Sequence, residues 1–321
     1  MASPNSTFTE LVSTTFRNHK PEIYDNISNR NALCKRLMTK GNYEREDGGL
    51  TIVCGLDYDE NGTYQRYSDW DTLNIGASDV ISAAEYPWRQ IALNVVSSGR
   101  ELRINSGESR IMKLAKSKMK NALRTFNNNF SSDLYSDGTA TNQINGLQAL
   151  VADAGTGTVG GIASGTFTFW KNQFFNATTE SVTISASTIE NSAMLPLYLG
   201  LDRGPDDQPD LIVADNTYYQ YYEASQVSIK RYSSSESANG GFGSLKYKSA
   251  DVMFDGNSGI PANRMYMLNT QYLGLTVHRD ADLEIVDEQR PINQDGVVVP
   301  ILWMGNMTCS NRNQQGVIVP S

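Results

Sequence analysis

Glu108-Ser109-Arg110-Ile111-Met112-Lys113-Leu114-Ala115-Lys116-Ser117-Lys118-Met119-Lys120-Asn121-Ala122-Leu123-Arg124-Thr125-Phe126, running on to Leu134, is the stretch on which the architecture turns. Ile111, Leu114, Met119, Ala122, Leu123, Phe126, Phe130 and Leu134 recur at three- and four-residue steps, which lays one apolar stripe along a helix. Ser106 suits the N-cap, Glu108 suits the positive end of the dipole, and Gly138 follows the last turn. At 1.5 Å per residue this helix is about 40 Å long, a structural spine more than part of a compact catalytic domain. Its polar side is one-signed: Arg110, Lys113, Lys116, Lys118, Lys120 and Arg124 face only Glu108 up to Asn127. Such a face reads as solvated, or as a dock for an acidic neighbour. Nucleic acid is disfavoured, because no aromatic interleaves the basic positions to make a base-stacking platform.

Upstream, residues 1–48 read as an extended arm. Phe8, Leu11, Phe16, Ile23, Ile27 and Leu33 are sparse and aperiodic among Pro4, Pro21 and many Asn, Ser and Thr. This segment buries too little to fold alone, so it is disordered or laid across something else. After Gly48-Gly49, residues 50–56 are strand-like, 57–62 turn-like and 63–67 strand-like again, with Asn61-Gly62 as the hairpin signal. A lone hairpin is marginal in water, so another subunit is a candidate support. A third β-rich stretch covers about 91–104.

Downstream, residues 152–165 read as a Gly-rich connector and 187–199 as a second helix interrupted near Pro196. Asp210-Leu211-Ile212-Val213-Ala214 reads as a buried strand. Asp215 or Asn216 caps a following helix through Tyr218, Tyr222 and Val227. Residues 233–243 read as a polar loop, and 245–319 alternate β-prone runs with turns, the pattern of a mixed or antiparallel sheet.

The 321 residues are 39% hydrophobic, an ordinary globular value, so a packed core is expected. A net charge of −8 repels polyanions overall and argues against a dedicated DNA-binding protein, though not against one local basic strip. Cys34, Cys54 and Cys309 are too few and too scattered for a disulfide framework, which points to a reduced compartment; an inter-subunit disulfide stays open. The N-terminus has no signal-peptide pattern, and the longest apolar run, 297–304, is far too short to cross a membrane.

Catalytic chemistry finds little footing. Asp57-x-Asp59-x-Asn61-Gly62 opens like a calcium loop, but its twelfth position is Ser68 where a bidentate Glu is needed, so it reads as a hairpin tip. Gly155-x-Gly157-x-x-Gly160, with Glu180 further on, has dinucleotide spacing but no helix after it to hold a pyrophosphate. Asp202, Asp206, Asp207 and Asp210 cluster in a turn composition. Asp280, Asp282 and Glu284 are expected on one face of a strand at a solvated edge. His19 and His278 lack partners at metal-ligand spacing. No nucleophile, base and orienter assemble, so no catalytic, cofactor or metal site is assigned and a non-enzyme is expected.

The order of arm, hairpin, strand, spine helix, α/β segment and β-rich tail resembles the major capsid proteins of tailed bacteriophages with the Hong Kong 97-like fold. The residues carrying the likeness are Glu10-Leu11-Val12 with Thr14-Thr15, Gly48-Gly49, Ala83-Ala84-Glu85-Tyr86-Pro87-Trp88 and Asn105-Ser106-Gly107. Leu134-Tyr135-Ser136-Asp137-Gly138-Thr139, Ile144-Asn145-Gly146-Leu147, residues 209–216 and Tyr266-Met267-Leu268-Asn269-Thr270 complete the set. Each piece is modest, and their order carries the likeness.

The resemblance implies an α+β chain divided into an arm (1–48), an extended loop (49–80), a peripheral domain (81–145 with 275–310), an axial domain (146–274) and a C-terminal strand (311–321). It implies hexamers and pentamers tiling an icosahedral shell around double-stranded DNA, in a virion assembled in the bacterial cytoplasm, with interfaces of more than about 2,000 Å². Phe8, Leu11, Phe16, Leu33, Ile52, Tyr58, Tyr64, Tyr67 and Trp70 would then meet neighbouring subunits. The basic helix face would touch packaged DNA weakly and without sequence preference. A portal and a separate scaffolding protein are the implied partners, the presence of a decoration protein being left open, with no cofactor and no membrane. The scaffold is expected to be separate because the chain starts directly with the arm. The best-known member cross-links a loop lysine to a neighbour's asparagine; here no Lys lies between Lys40 and Lys113, so no such bond is expected. An encapsulin-type nanocompartment is the runner-up within the fold. A metal-dependent hydrolase using the acidic clusters is the alternative from another class.

Overall fold

The computed structural model describes residues 31–40, 42–104, 108–226, 245–255 and 259–320, with side chains for all of these except Ala32 and residues 108–113. Helix α1 (Ala32–Lys40) leads into strand β1 (Tyr43–Glu46), so the arm expected to lie loose is folded over its last third. The Asn31 side chain caps α1 by accepting from the Cys34 N–H at 2.9 Å, and Leu33, Cys34 and Leu37 are buried. Strand β2 (Thr51–Asp57) pairs antiparallel with β3 (Ile81–Pro87), from Thr51 opposite Pro87 to Asp57 opposite Ile81. The expected hairpin partner, residues 63–67, is instead part of the long connection over 58–80. Pairing follows the apolar alternation: Ile52 and Leu56 on β2 and Ala84 and Tyr86 on β3 are the buried positions.

Strand β4 (Arg89–Ser98) is followed by α2 (Gly99–Ile104), where a strand had been expected to continue. The spine is α3 (Glu108–Asp133). Its stripe of Met119, Leu123, Phe126 and Phe130 is buried, and Phe130 meets Trp303 edge-on at 5.1 Å. Each such aromatic contributes roughly 1.5–3 kcal/mol by burial. The proposed N-cap, Ser106, lies outside the described residues.

A short α4 (Leu147–Leu150) and a small hairpin of β5 (Thr158–Val159) and β6 (Ile162–Ala163) follow, then β7 (Gln173–Asn176). A π-helical turn over 189–194 runs into α5 (Leu195–Leu201), and Pro196 stands at the junction of the two. Strand β8 (Leu211–Ala214) ends at Asp215, whose carboxylate accepts from the Tyr218 N–H at 2.9 Å and so caps α6 (Asn216–Ser225) as the sequence predicts. The remaining strands are β9 (Leu245–Tyr247), β10 (Ala250–Phe254), β11 (Met265–Leu268), β12 (Leu273–His278), β13 (Glu284–Ile285), β14 (Gly296–Cys309) and β15 (Gly316–Val319).

Two sheets organise these strands. In the five-stranded sheet β14 pairs with β4 over Gly296 to Gly305, with β13 at Ile301 and Leu302, and with β12 over its last residues; β1 adds in parallel to β12. The six-stranded sheet has the order β7-β15-β11-β8-β10-β9. Its central strands are buried on both faces, which explains their unbroken apolar sequences. The two-residue period of a strand divides them between two cores. Ile212, Ala214, Met265, Met267 and Ile318 pack with α5 and α6. Leu211, Val213, Tyr266, Leu268 and Val317 share a core with the spine helix and the β2–β3 ribbon.

Residues 280, 282 and 284 do not share a strand face. A tight turn over 279–281 precedes β13, and Asp282 is buried, accepting from the Tyr43 hydroxyl at 2.8 Å and from Arg45 at 2.6 Å.

Candidate assembly surfaces

The β2–β3 ribbon is anchored at its base. The Tyr86 hydroxyl donates to the Cys309 carbonyl at 2.8 Å, and the Glu85 N–H donates to the Gly160 carbonyl at 3.0 Å. Gly160 has φ +60°, and a Cβ there would stand 2.7 Å from the Ala84 Cβ, so only glycine lets the small hairpin close on the ribbon. Tyr58 stacks on Phe169 with centroids 5.5 Å apart.

Beyond Tyr58 the connection over 58–80 is held by side chains instead of a ladder. The Asn61 Oδ1 accepts from the Thr63 N–H, the Thr63 hydroxyl and the Ser78 hydroxyl. The Gln65 amide accepts from the Asn74 N–H at 2.8 Å and donates to the Thr72 carbonyl at 3.1 Å. This polar interior leaves the large apolar side chains outward: Tyr64 is 81% exposed, Trp70 98% and Ile75 92%, with Tyr67 also open. Exposed apolar side chains gathered on one loop mark an interaction surface.

Of the residues expected to meet neighbours, Tyr64, Tyr67 and Trp70 are therefore available and Tyr58 is half-buried. Leu33 and Ile52 are corrected: both are buried in this chain's own core, Leu33 under α1 and Ile52 on the inner face of the ribbon, and offer nothing to a partner. Phe8, Leu11 and Phe16 lie outside the described residues.

Helix α1 is tied down by charge that sequence reasoning assigned elsewhere. Arg36 pairs with Asp210 at 3.2 Å and with Asp251 at 3.3 Å, and Lys40 pairs with Asp210 at 3.2 Å. Burial opposes the Asp210 charge, but the Thr270 N–H, the Thr270 hydroxyl and Lys40 outweigh it and hold this carboxyl below the usual range. Its companions are similarly occupied: Asp207 accepts from Asn269 at 2.8 Å and Asp202 from the Gly204 N–H at 2.9 Å. Among the described residues no group of three His, Cys, Asp or Glu could hold a metal, and no helix is long and apolar enough to cross a membrane.

On the spine, Lys118 pairs with Glu101 and donates to the Val96 carbonyl at 2.9 Å. Lys116, Lys120 and Arg124 are exposed. The side chains of Arg110 and Lys113 are not among those described. The Gly155-to-Gly160 spacing leads into the small hairpin and not a helix N-terminus, which removes the dinucleotide geometry.

No sequence family matches the chain, and no curated protein matches it by sequence. Its structure is similar to the capsid protein of cyanophage A-1(L), with a TM-score of 0.63 at 16% identity over 87% of this chain and 89% of that one. The capsid of an empty GTA particle aligns with a TM-score of 0.55 at 12% identity, covering 89% and 90% of the two chains. The capsid of Myoviridae phage XM1 aligns at 0.53 and 10% identity over 88% and 91%. At such identities the likeness is one of fold: the chain is α+β with the capsid fold of tailed phages, consistent with the Hong Kong 97-like type.

Proposed function

We propose that this chain is the major capsid protein of a tailed bacteriophage, a non-enzymatic subunit that assembles as hexamers and pentamers into an icosahedral shell around double-stranded DNA. The observation that carries the reading is the ribbon with its tip: an anchored base, a polar internal frame, and Tyr64, Tyr67, Trp70 and Ile75 turned to solvent. An isolated subunit gains nothing from displaying these side chains, whereas a neighbour supplies the apolar surface they lack. The capsid fold supports the same reading.

The peripheral domain of this proposal is the five-stranded sheet with the spine helix, and the axial domain is the six-stranded sheet with α5 and α6. Strand β3 belongs with the extended loop, which moves the loop's end from 80 to 87. Shell contacts are non-covalent in this reading, because residues 41–112 contain no lysine to supply an amine. A scaffolding protein and a portal are its proposed partners, and the virion its location, after assembly in the bacterial cytoplasm.

Native purification followed by electron microscopy tests the proposal. Closed shells tens of nanometres across are expected, with packaged DNA marking a virus and a cargo protein marking a nanocompartment. A monodisperse particle of a few subunits, with co-expressed scaffold, would overturn it. Denaturing gels of mature shells are expected to show no covalent ladder.

A further inference from the structure

The Gly-rich run over 152–165, a connector by its composition, is folded and fastened. The Ser164 N–H and hydroxyl both donate to the Gly157 carbonyl, at 3.1 and 3.0 Å, which closes β6 on β5. The Trp170 indole N–H donates to the Val159 carbonyl at 2.9 Å, and Trp170 is buried. The Trp170 carbonyl in turn accepts from the guanidinium of Arg312 at 3.2 Å, which also donates to the Leu150 carbonyl at 2.7 Å and to the Asn172 side chain at 3.0 Å. Arg312 is fully buried in the turn between β14 and β15. The small hairpin is therefore joined to the frame at the point where the chain passes from one sheet to the other.

What this hairpin grips is the ribbon. The ribbon enters through Gly48 and Gly49, both exposed and at φ +141° and +127°. The Trp88 indole N–H donates to the Gly49 carbonyl at 3.1 Å, tying the two legs together, and the Tyr86 hydroxyl ties them to Cys309. These bonds all sit at the root, where they hold a point more than a direction. Direction comes from the hairpin segment. Beside the root, the Glu85 N–H crosses to the Gly160 carbonyl, and Gly160 is seated against Ala84 and the Tyr86 ring. Further out, Tyr58 stacks on Phe169 with the ring planes 28° apart. The Tyr58 N–H donates across the ribbon to Val80, six residues before Tyr86, which puts this second hold about 20 Å from the root. A rod attached at one end swings, whereas a rod held at both ends of such a lever does not.

We infer that residues 158–170 are a latch that sets the elevation of the ribbon on the free subunit, so that the exposed tip is aimed before any neighbour arrives. Its purpose rests on the capsid reading; the latch itself does not. An arm already fixed in its docking direction gives up orientational freedom on folding and not on association, which lowers the subunit concentration needed for assembly.

Hydrogen exchange on the unassembled full chain reads the latch at the Glu85 amide, where slow exchange is expected in the natural chain. Two variants release it. Gly160→Ala forces a Cβ to within 2.7 Å of the Ala84 Cβ, and Phe169→Leu removes the stack but keeps an apolar side chain. Each should speed exchange at Glu85 about tenfold while the amides of β8 and β11 stay protected. Each should also raise the concentration at which shells form, by up to the same factor, as light scattering would show. Should Gly160→Ala fail to fold, seen as lost protection in β8 and β11, Phe169→Leu carries the test. Rapid exchange at Glu85 in the natural chain, or an unchanged rate in Phe169→Leu, overturns the latch. Faster exchange with an unaltered assembly threshold overturns its role in aiming the tip. Absence of shells from the natural chain defeats the capsid reading instead, and the exchange rates still report on the latch.

Discussion

The hydroxyl of Tyr86 closes a two-way bond with the backbone of Cys309, donating to its carbonyl at 2.8 Å and accepting from its N–H at 3.3 Å. One side chain thus joins the ribbon to the last residue of β14. Tyr86→Phe strands two buried backbone groups, and a loss of about 1–3 kcal/mol in urea unfolding is expected. Burial raises the Tyr86 pKa well above the ordinary tyrosine value. A raised folded-state pKa contributes stability that is present below the unfolded value near 10 and is lost as pH climbs toward the folded one. Chemical denaturation at increasing alkaline pH should show this decline, and Tyr86→Phe should make it shallower by one group's share, the rest coming from other buried tyrosines such as Tyr135 and Tyr266 and from Cys34 and Cys309.

Asp210 predicts the reverse dependence. Its folded pKa is depressed, so its contribution is present above the unfolded carboxylate value near 4 and is lost as pH falls through the folded one. Amides of 32–40 should exchange faster in acid before the sheets open. Asp210→Asn, which keeps the Thr270 contacts but not the pairs with Arg36 and Lys40, is expected to cost about 1–2 kcal/mol and to remove that acid sensitivity. Unchanged exchange in the variant would show that α1 is held without the Asp210 charge, by its buried side chains and the Arg36–Asp251 pair.

Trp70→Ser and Tyr67→Ser should separate folding from assembly. Both side chains are exposed, so thermal unfolding of the unassembled subunit is expected to move by no more than about 0.5 kcal/mol. Shell yield by sedimentation should fall sharply. Full yield from both variants would remove the tip from the interface.

The three thiols should divide in reactivity. Burial pushes Cys34 and Cys309 up to about 12, and Cys54 is raised as well but stands partly open. A thiol reagent under native conditions is expected to modify Cys54 alone, slowly, with the other two reacting only on unfolding. Prompt labelling of Cys34 would mean that α1 detaches.

What the sequence revealed and what it hid follow from how local each signal is. The spine helix is legible within a residue because its stripe needs only neighbouring side chains, and Asp215 is legible as a cap for the same reason. Helix α1 is not: its stability comes from Leu33 and Leu37 under the core and from Arg36 reaching Asp210 across most of the chain. The Asn61-Gly62 signal is a real turn, yet its neighbouring run is polar at the tip, and β2 is paired by β3, whose Ala84 and Tyr86 continue the buried face. Tyr64, Tyr67 and Trp70 were readable as exposed because nothing nearby in sequence could cover them. Leu33 and Ile52 carry the same residue chemistry, and only the three-dimensional path shows that their own chain does cover them. The acidic turn likewise looked solvated until Arg36 and Lys40 arrived from the arm.

Strand β14 lies within one sheet between β4, β12 and β13, and β15 lies inside the other between β7 and β11. Both sheets therefore wait on residues that leave the ribosome after position 295. A nascent chain shorter than that holds the residues of its ribbon and spine but neither sheet to mount them on, nor the Cys309 and Trp303 on which they are anchored. On the capsid reading proposed above, the order of synthesis is then itself a checkpoint, since an interrupted polypeptide lacks the frame that would present a docking surface.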